Sequence, residues 1–125
     1  MQADDIDQYF QRYGWTASKT ADGHWKTTFT GDLGIFTIDV RLDPEWLLFA
    51  IDLSAHAGPD SPERTRDLLI ANGEMLMAKF AISPQGNLLL RVEMPTEGFG
   101  YSQFADCLGA LSHYADRFCL EWQQT

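Results

Sequence analysis

The sequence predicts a single domain in which helices pack on an antiparallel sheet, in the order α-β-β-β-β-α-β-β-α. Three observations carry that prediction. Residues 15–54 alternate between apolar and polar side chains in four runs separated by short turns. Ser61-Pro62-Glu63 opens a helix. Residues 101–122 carry large apolar side chains at helical spacing, after a hairpin at 77–93. Loops this short join only antiparallel neighbours.

The first helix takes Asp4 or Asp5 as its N-cap, Ile6, Tyr9, Phe10 and Tyr13 as its apolar stripe, and Gly14 as its stop. A strand begins at Trp15–Ser18 and turns at Asp22-Gly23, a strong hairpin signal. From His24 to Thr30, Trp25, Thr27 and Phe29 share one face, with Lys26 and Thr28 on the other. After Gly31-Asp32-Leu33-Gly34, the run 35–41 aligns Phe36, Ile38 and Val40. The fourth strand, Trp46–Leu53, is apolar on both faces: Leu47, Phe49, Ile51 and Leu53 on one, Trp46, Leu48 and Ala50 on the other. A sheet covered on one side alone has a polar second face, so this strand asks for a second cover.

Ser54–Asp60 reads as a flexible connector. In the middle helix Leu68, Leu69 and Ile70 are consecutive and wrap about 200° of the circumference, more than one sheet contact uses. Asn72-Gly73 ends it. In the hairpin that follows, Phe80 and Ile82 share the core face with Leu88, Leu90 and Val92, while Met77 and Leu89 point the other way. The last helix aligns Phe104, Leu108, Leu111, Ala115, Phe118 and Trp122.

A chain of 125 residues holds one core, so residues 1–125 form one domain. The net charge of −9, dispersed along the chain, disfavours nucleic acid and anionic membranes as partners. No run is long enough to span a bilayer, and the acidic start lacks an apolar leader. Cys107 and Cys119 lie twelve residues apart on one predicted helix, about 18 Å, so both are expected as free thiols, which fits a cytoplasmic location.

No catalytic constellation emerges. His24, His56 and His113 are isolated, and no CxxC or HxxxH spacing offers a metal site. Asp39 and Asp52 fall on outward strand positions, and Gly31–Gly34 joins strands without opening a helix. The expectation is a protein that is not an enzyme, with no catalytic residues, metal or cofactor. The better lead is surplus apolar surface. Ile35, Trp46, Leu48, Met77 and Leu89 project away from the main helical layer, and Leu69 and Ile70 project from the middle helix. Either the chain's own first helix or a loop covers the sheet residues, or they meet a partner: a second copy or an extended client.

Trp25, the run Trp46-Leu47-Leu48-Phe49, the helix end Leu68-Leu69-Ile70-Ala71-Asn72, and Ala78-Lys79-Phe80-Ala81-Ile82 with Gly86 and Leu88-Leu89-Leu90 resemble the YbjN-like family and, more distantly, class I type III secretion chaperones. The resemblance spans nearly the whole chain. It implies an α+β domain of the type III secretion chaperone-like fold, with helices against a curved antiparallel sheet, and a homodimer. It also implies a non-enzymatic, chaperone-like, cytoplasmic binding module for a protein client or regulatory partner, with client side chains buried on the second sheet face and an acidic rim opposing aggregation. Four strands before the middle helix place the chain nearer the YbjN-like arrangement. On this reading Ile35, Trp46, Leu48, Met77 and Leu89 contact client or dimer partner, and Leu69 and Ile70 contact the dimer partner. The alternative is a small-ligand or enzymatic pocket between the sheet and the 54–60 loop, which contains His56.

Overall fold

The computed structural model describes residues 1–58 and 60–123. Pro59, part of the expected connector, lies outside the described residues. The elements are α1 (Ala3–Tyr13), β1 (Ala17–Ala21), β2 (His24–Gly31), β3 (Gly34–Leu42), β4 (Trp46–Asp52), α2 (Ser54–Ala57), α3 (Pro62–Glu74), β5 (Lys79–Ile82), β6 (Leu88–Pro95) and α4 (Tyr101–Gln123). The strands form one sheet in the order β1-β2-β3-β4-β6-β5, every neighbouring pair antiparallel. Beyond the expected order there is one extra element, the short α2.

Strand alternation sorts the sheet as its period of two requires. Trp25, Phe36, Ile38, Val40, Leu47, Phe49, Ile51, Leu90 and Val92 are buried on one face under α1 and α4. The stripe of α4 is buried from Phe104 to Phe118, with Trp122 half-buried. Phe104 is the aromatic hub, meeting Phe10 edge-on with ring centroids 4.9 Å apart and Phe49 at 6.0 Å. Asp7 of α1 accepts a hydrogen bond from the buried Trp25 indole at 2.8 Å, and the Arg12 guanidinium lies over the Tyr101 ring. Both contacts tie α1 to the core.

The β2–β3 turn is pinned to α4: the Asp32 N–H donates to Asp116 Oδ1 at 2.9 Å. Gly31 makes this approach possible, since a Cβ there would stand 2.4 Å from that same oxygen. A side chain at Gly31 would force the Asp116 carboxylate to shift and so disturb this contact.

Four local expectations need correction. The N-cap of α1 is Gln2; Asp5 instead sits one turn in and accepts from the Gln2 N–H at 2.8 Å. This reciprocal use of an acid at the third position caps the helix from inside. The connector is ordered where described: Ser54–Ala57 forms one helical turn, because the Leu53 carbonyl accepts from His56 and Ala57 while Leu53 and Ala57 are buried. α3 runs through Asn72-Gly73 to Glu74. Asn72 does not stop the helix, since its side chain has another task, described below. The strand expected from Met77 starts at Lys79: Met77 adopts φ 69° in a turn closed by a hydrogen bond from Ala78 N–H to the Leu76 carbonyl. The Ser61 cap is as expected, its hydroxyl accepting from the Arg64 N–H at 3.0 Å.

Candidate interaction surface

Among the described residues no helix lies over the second sheet face. Its side chains form transverse rows fixed by register. Lys26 stands opposite Asp39, Asp39 opposite Ala50, and Ala50 opposite Arg91; one step along, Arg41 stands opposite Leu48 and Leu48 opposite Glu93. Leu48, Ala50 and Leu89 make an apolar floor, and Pro84 of the β5–β6 turn bounds it. The resulting depression holds about 470 Å³, within the range of sites that take a ligand or a few side chains of a partner. Trp46 at the end of β4 is 46% exposed and Ile35 at the start of β3 is 67% exposed. Leu48 and Leu89 are half-buried.

Charged groups frame this floor. Lys26 pairs with Asp39 at 3.6 Å, while Lys79 and Arg91 share Glu93 at 3.5 and 3.3 Å. Arg41 pairs with Asp43 at 3.5 Å. Such solvated pairs contribute little to folding and exchange partners readily. They do prevent a continuous apolar face, which guards the sheet against edgewise and facewise aggregation.

A second apolar patch lies on the outer side of α3 and at the β5 edge. Leu69 is 67% and Ile70 52% exposed, Ile82 lines a hollow with Leu69, and Leu76 and Met77 of the following turn are exposed as well. Met77 lies in the turn between α3 and β5 and not on a strand, so strand alternation does not assign it to the open sheet face. Ile82 was expected in the core. It sits at the last position of the edge strand, beside Leu68 and Leu69 of α3, and it is still 49% exposed. Leu76 lacked any sequence signal, since its exposure depends on a turn that breaks both helical and strand periods. The expected residues thus separate: Ile35, Trp46, Leu48 and Leu89 on the open face, Leu69 and Ile70 on α3, and Met77 in the turn that follows α3.

Between the patches, Asn72 closes the sheet edge. Its Oδ1 accepts from the Phe80 N–H at 2.6 Å and its Nδ2 donates to the Phe80 carbonyl at 3.1 Å. The carboxamide takes the place of a neighbouring strand. Asparagine is the residue that offers donor and acceptor together in this geometry.

The space between the sheet and the 54–60 segment is small, about 100 Å³. His56 is drawn away from it against Phe36, ring centroids 4.6 Å apart. Arg64 occupies the mouth, donating to the Ala57 carbonyl and lying over the Trp122 ring. That geometry does not favour a metabolite pocket there.

Cys107 and Cys119 are free and buried. Burial first, then the nearby Asp106, pushes the Cys107 thiol up to about 12; burial and then Asp116 push Cys119 up to about 11. Neither is a nucleophile near neutral pH. An acid whose folded value is raised stays neutral in the native state while the unfolded chain ionises near 9. The unfolded state then holds fewer protons, so stability falls as pH rises above about 9. Replacing both thiols with alanine or serine introduces packing effects, so the cleaner measurement is thiol modification: both cysteines should resist a thiol reagent at pH 8 and react only at the rate of unfolding. Fast labelling of either in the native protein would contradict this burial.

The fold is that of the type III secretion chaperones. The Yersinia pestis chaperone SycH, solved with a fragment of YscM2, is 16% identical, with 90% of this chain and 95% of that one covered and a TM-score of 0.63. The ExsC–ExsE complex matches at 16% identity, 95% and 95% coverage and a TM-score of 0.66. YbjN from E. coli matches at 17% identity, 94% and 90% coverage and a TM-score of 0.65. At these identities the likeness establishes the fold alone. No curated protein matches the sequence. The YbjN family model, described as "Putative bacterial sensory transduction regulator", matches residues 2–123, and the chain belongs to that family.

Proposed function

We propose that this chain is a non-enzymatic, chaperone-like binding module that holds a polypeptide client or regulatory partner on the open face of its sheet and works in the cytoplasm as a homodimer. The observation that carries this reading is the uncovered face itself. Ile35, Trp46, Leu48 and Leu89 line it, and no helix among the described residues lies over them. Exposed apolar area of this kind is unfavourable in water unless a partner uses it. Several solved structures of the same fold hold two different proteins, including the HopA1–SchA chaperone–effector complex and the heterodimeric ExoU–SpcU complex of Pseudomonas aeruginosa. Here a client chain in extended form lays apolar side chains on Leu48, Ala50 and Leu89, with Trp46 as an aromatic anchor, while Lys26, Arg41 and Arg91 meet its polar groups. Leu69 and Ile70 serve the second copy.

The test is a paired capture. Wild type and the Trp46→Asp, Leu48→Asp double variant are immobilised and exposed to the native cytoplasm, with circular dichroism confirming that both are folded. A stoichiometric polypeptide retained by wild type and reduced at least about tenfold on the double variant is the expected outcome. Equal retention by both would remove the open face from the binding surface, and unfolding of the variant would make β4 an ordinary core strand.

A further inference from the structure

We infer that the second copy docks antiparallel on the outer face of α3, in a register set by ion pairs between Arg66 of each copy and Glu74 of the other. The inference rests on the homodimer reading above and adds its geometry. Among the described residues, Arg66 is the one Lys or Arg side chain with no ion pair, hydrogen bond or aromatic ring beside it. It is exposed, and it stands one helical turn from Ile70, which stands one turn from Glu74. Glu74 is also exposed and has no cation beside it among the described residues. A helix face bearing opposite unmatched charges on either side of an apolar centre is complementary to itself when reversed, which is what a two-fold contact requires.

Steric relief points to the same register. Gly73 lies within α3, and a Cβ built there meets nothing within 4 Å. The chain's own packing makes no use of the missing side chain, and an opposing side chain has room there. Placing Ile70 of one copy over Gly73 of the other puts the two-fold axis between residues 71 and 72. Arg66 then lies just past the C-terminal end of the second copy's α3, three helical steps from Glu74 of that copy, about 4.5 Å along the axis. An arginine side chain spans that distance. Leu69 flanks the contact. The alternative of joining sheets through β5 is closed at Phe80, whose outward N–H and carbonyl are already held by Asn72. Two reciprocal ion pairs also counter the repulsion between copies that each carry a net charge of −9.

Sedimentation equilibrium on wild type, Arg66→Glu, Glu74→Arg and an equimolar mixture of the two variants tests this, with circular dichroism as the check on folding. Wild type should dimerise, and each variant alone should self-associate at least about tenfold more weakly, because like charges then face each other across the axis. The mixture should recover the wild-type association, since every 66–74 contact in the mixed dimer is again between opposite charges. Variants as dimeric as wild type, or a mixture no stronger than its components, would overturn the register while leaving the homodimer standing. A wild type that stays monomeric up to about 100 μM would overturn both.

Discussion

Phe104→Ala is expected to lower the unfolding free energy by about 3–5 kcal/mol. Phe104 has no exposed surface and sits where α1, β4 and α4 converge, with Tyr9, Phe10, Tyr13, Phe49 and Tyr101 around its ring. Truncation removes the hydrophobic contribution of the ring and leaves a cavity between elements that are rigid partners. The neighbouring aromatics cannot all move inward, because Phe49 is fixed by the sheet. Against a total stability of about 5–15 kcal/mol for a domain, the loss is large, and the melting temperature should fall by more than about 10 °C. Chemical denaturation measures it, with an unchanged m-value showing that the native state stays compact. Ile35→Ala on the open face is the internal control and should shift stability by no more than about 0.5 kcal/mol. If Phe104→Ala costs no more than Ile35→Ala, α4 does not organise the core in the way described.

Asn72→Asp should have the second largest effect, about 2–3 kcal/mol near neutral pH, and its pH dependence identifies the cause. The carboxylate keeps an acceptor for the Phe80 N–H but loses the donor to the Phe80 carbonyl, so a favourable bond becomes a clash of lone pairs and a half-buried carbonyl is stranded. Protonation restores a donor. The native state therefore holds the new carboxyl proton more tightly than the unfolded chain, and the deficit relative to wild type should narrow as pH falls from neutral to about 4 and change little below that. The same variant frees the outward Phe80 carbonyl on the edge strand β5, which invites strand addition, so it should also aggregate faster on heating. A deficit that is the same at pH 4 and pH 7 would mean that Asn72 acts by packing rather than by holding the edge.

Both effects bear on function through the layout they maintain. α4 and α1 occupy one face of the sheet and leave the other free, and Asn72 seals the β5 edge beside the α3 patch. The two apolar surfaces thereby stay separate. In the function proposed above, Leu48 and Leu89 would meet the client on the open face and Leu69 and Ile70 the second copy against α3. Pairing of Lys26 with Asp39, and of Lys79 and Arg91 with Glu93, keeps the first surface wettable.

How much of this was legible before folding depends on the length scale of each signal. Alternation at Trp25–Phe29, Phe36–Val40 and Leu47–Leu53 assigned each of these side chains to its face, because a strand's period of two is a property of consecutive residues. The stripe Phe104–Trp122 and the Ser61 cap were legible for the same reason. Ile82 stays exposed at the end of an edge strand and Met77 falls in a turn with left-handed backbone, and a local period encodes neither. Asn72 was read as a helix stop since Asn-Gly favours one, whereas its carboxamide is held by the backbone of a strand eight residues on. The turn at Ser54–Ala57 forms because Leu53 and Ala57 find the core, which the small, polar and Gly-Pro composition of 54–60 does not reveal.

The sequence by itself determined the order of elements, the antiparallel pairing, the inward and outward face of β2, β3 and β4, and the separation of the two thiols. All of these follow from dihedral and solvation preferences acting over one or two helical turns or strand repeats. Tertiary structure alone decided that α1 and α4 fall on the same side, that Leu48 and Leu89 line an open depression while Met77 sits in a turn, and that Arg66 has no counter-ion among the described residues. Those facts are sums over residues far apart in the chain, and they exist only once the elements have met.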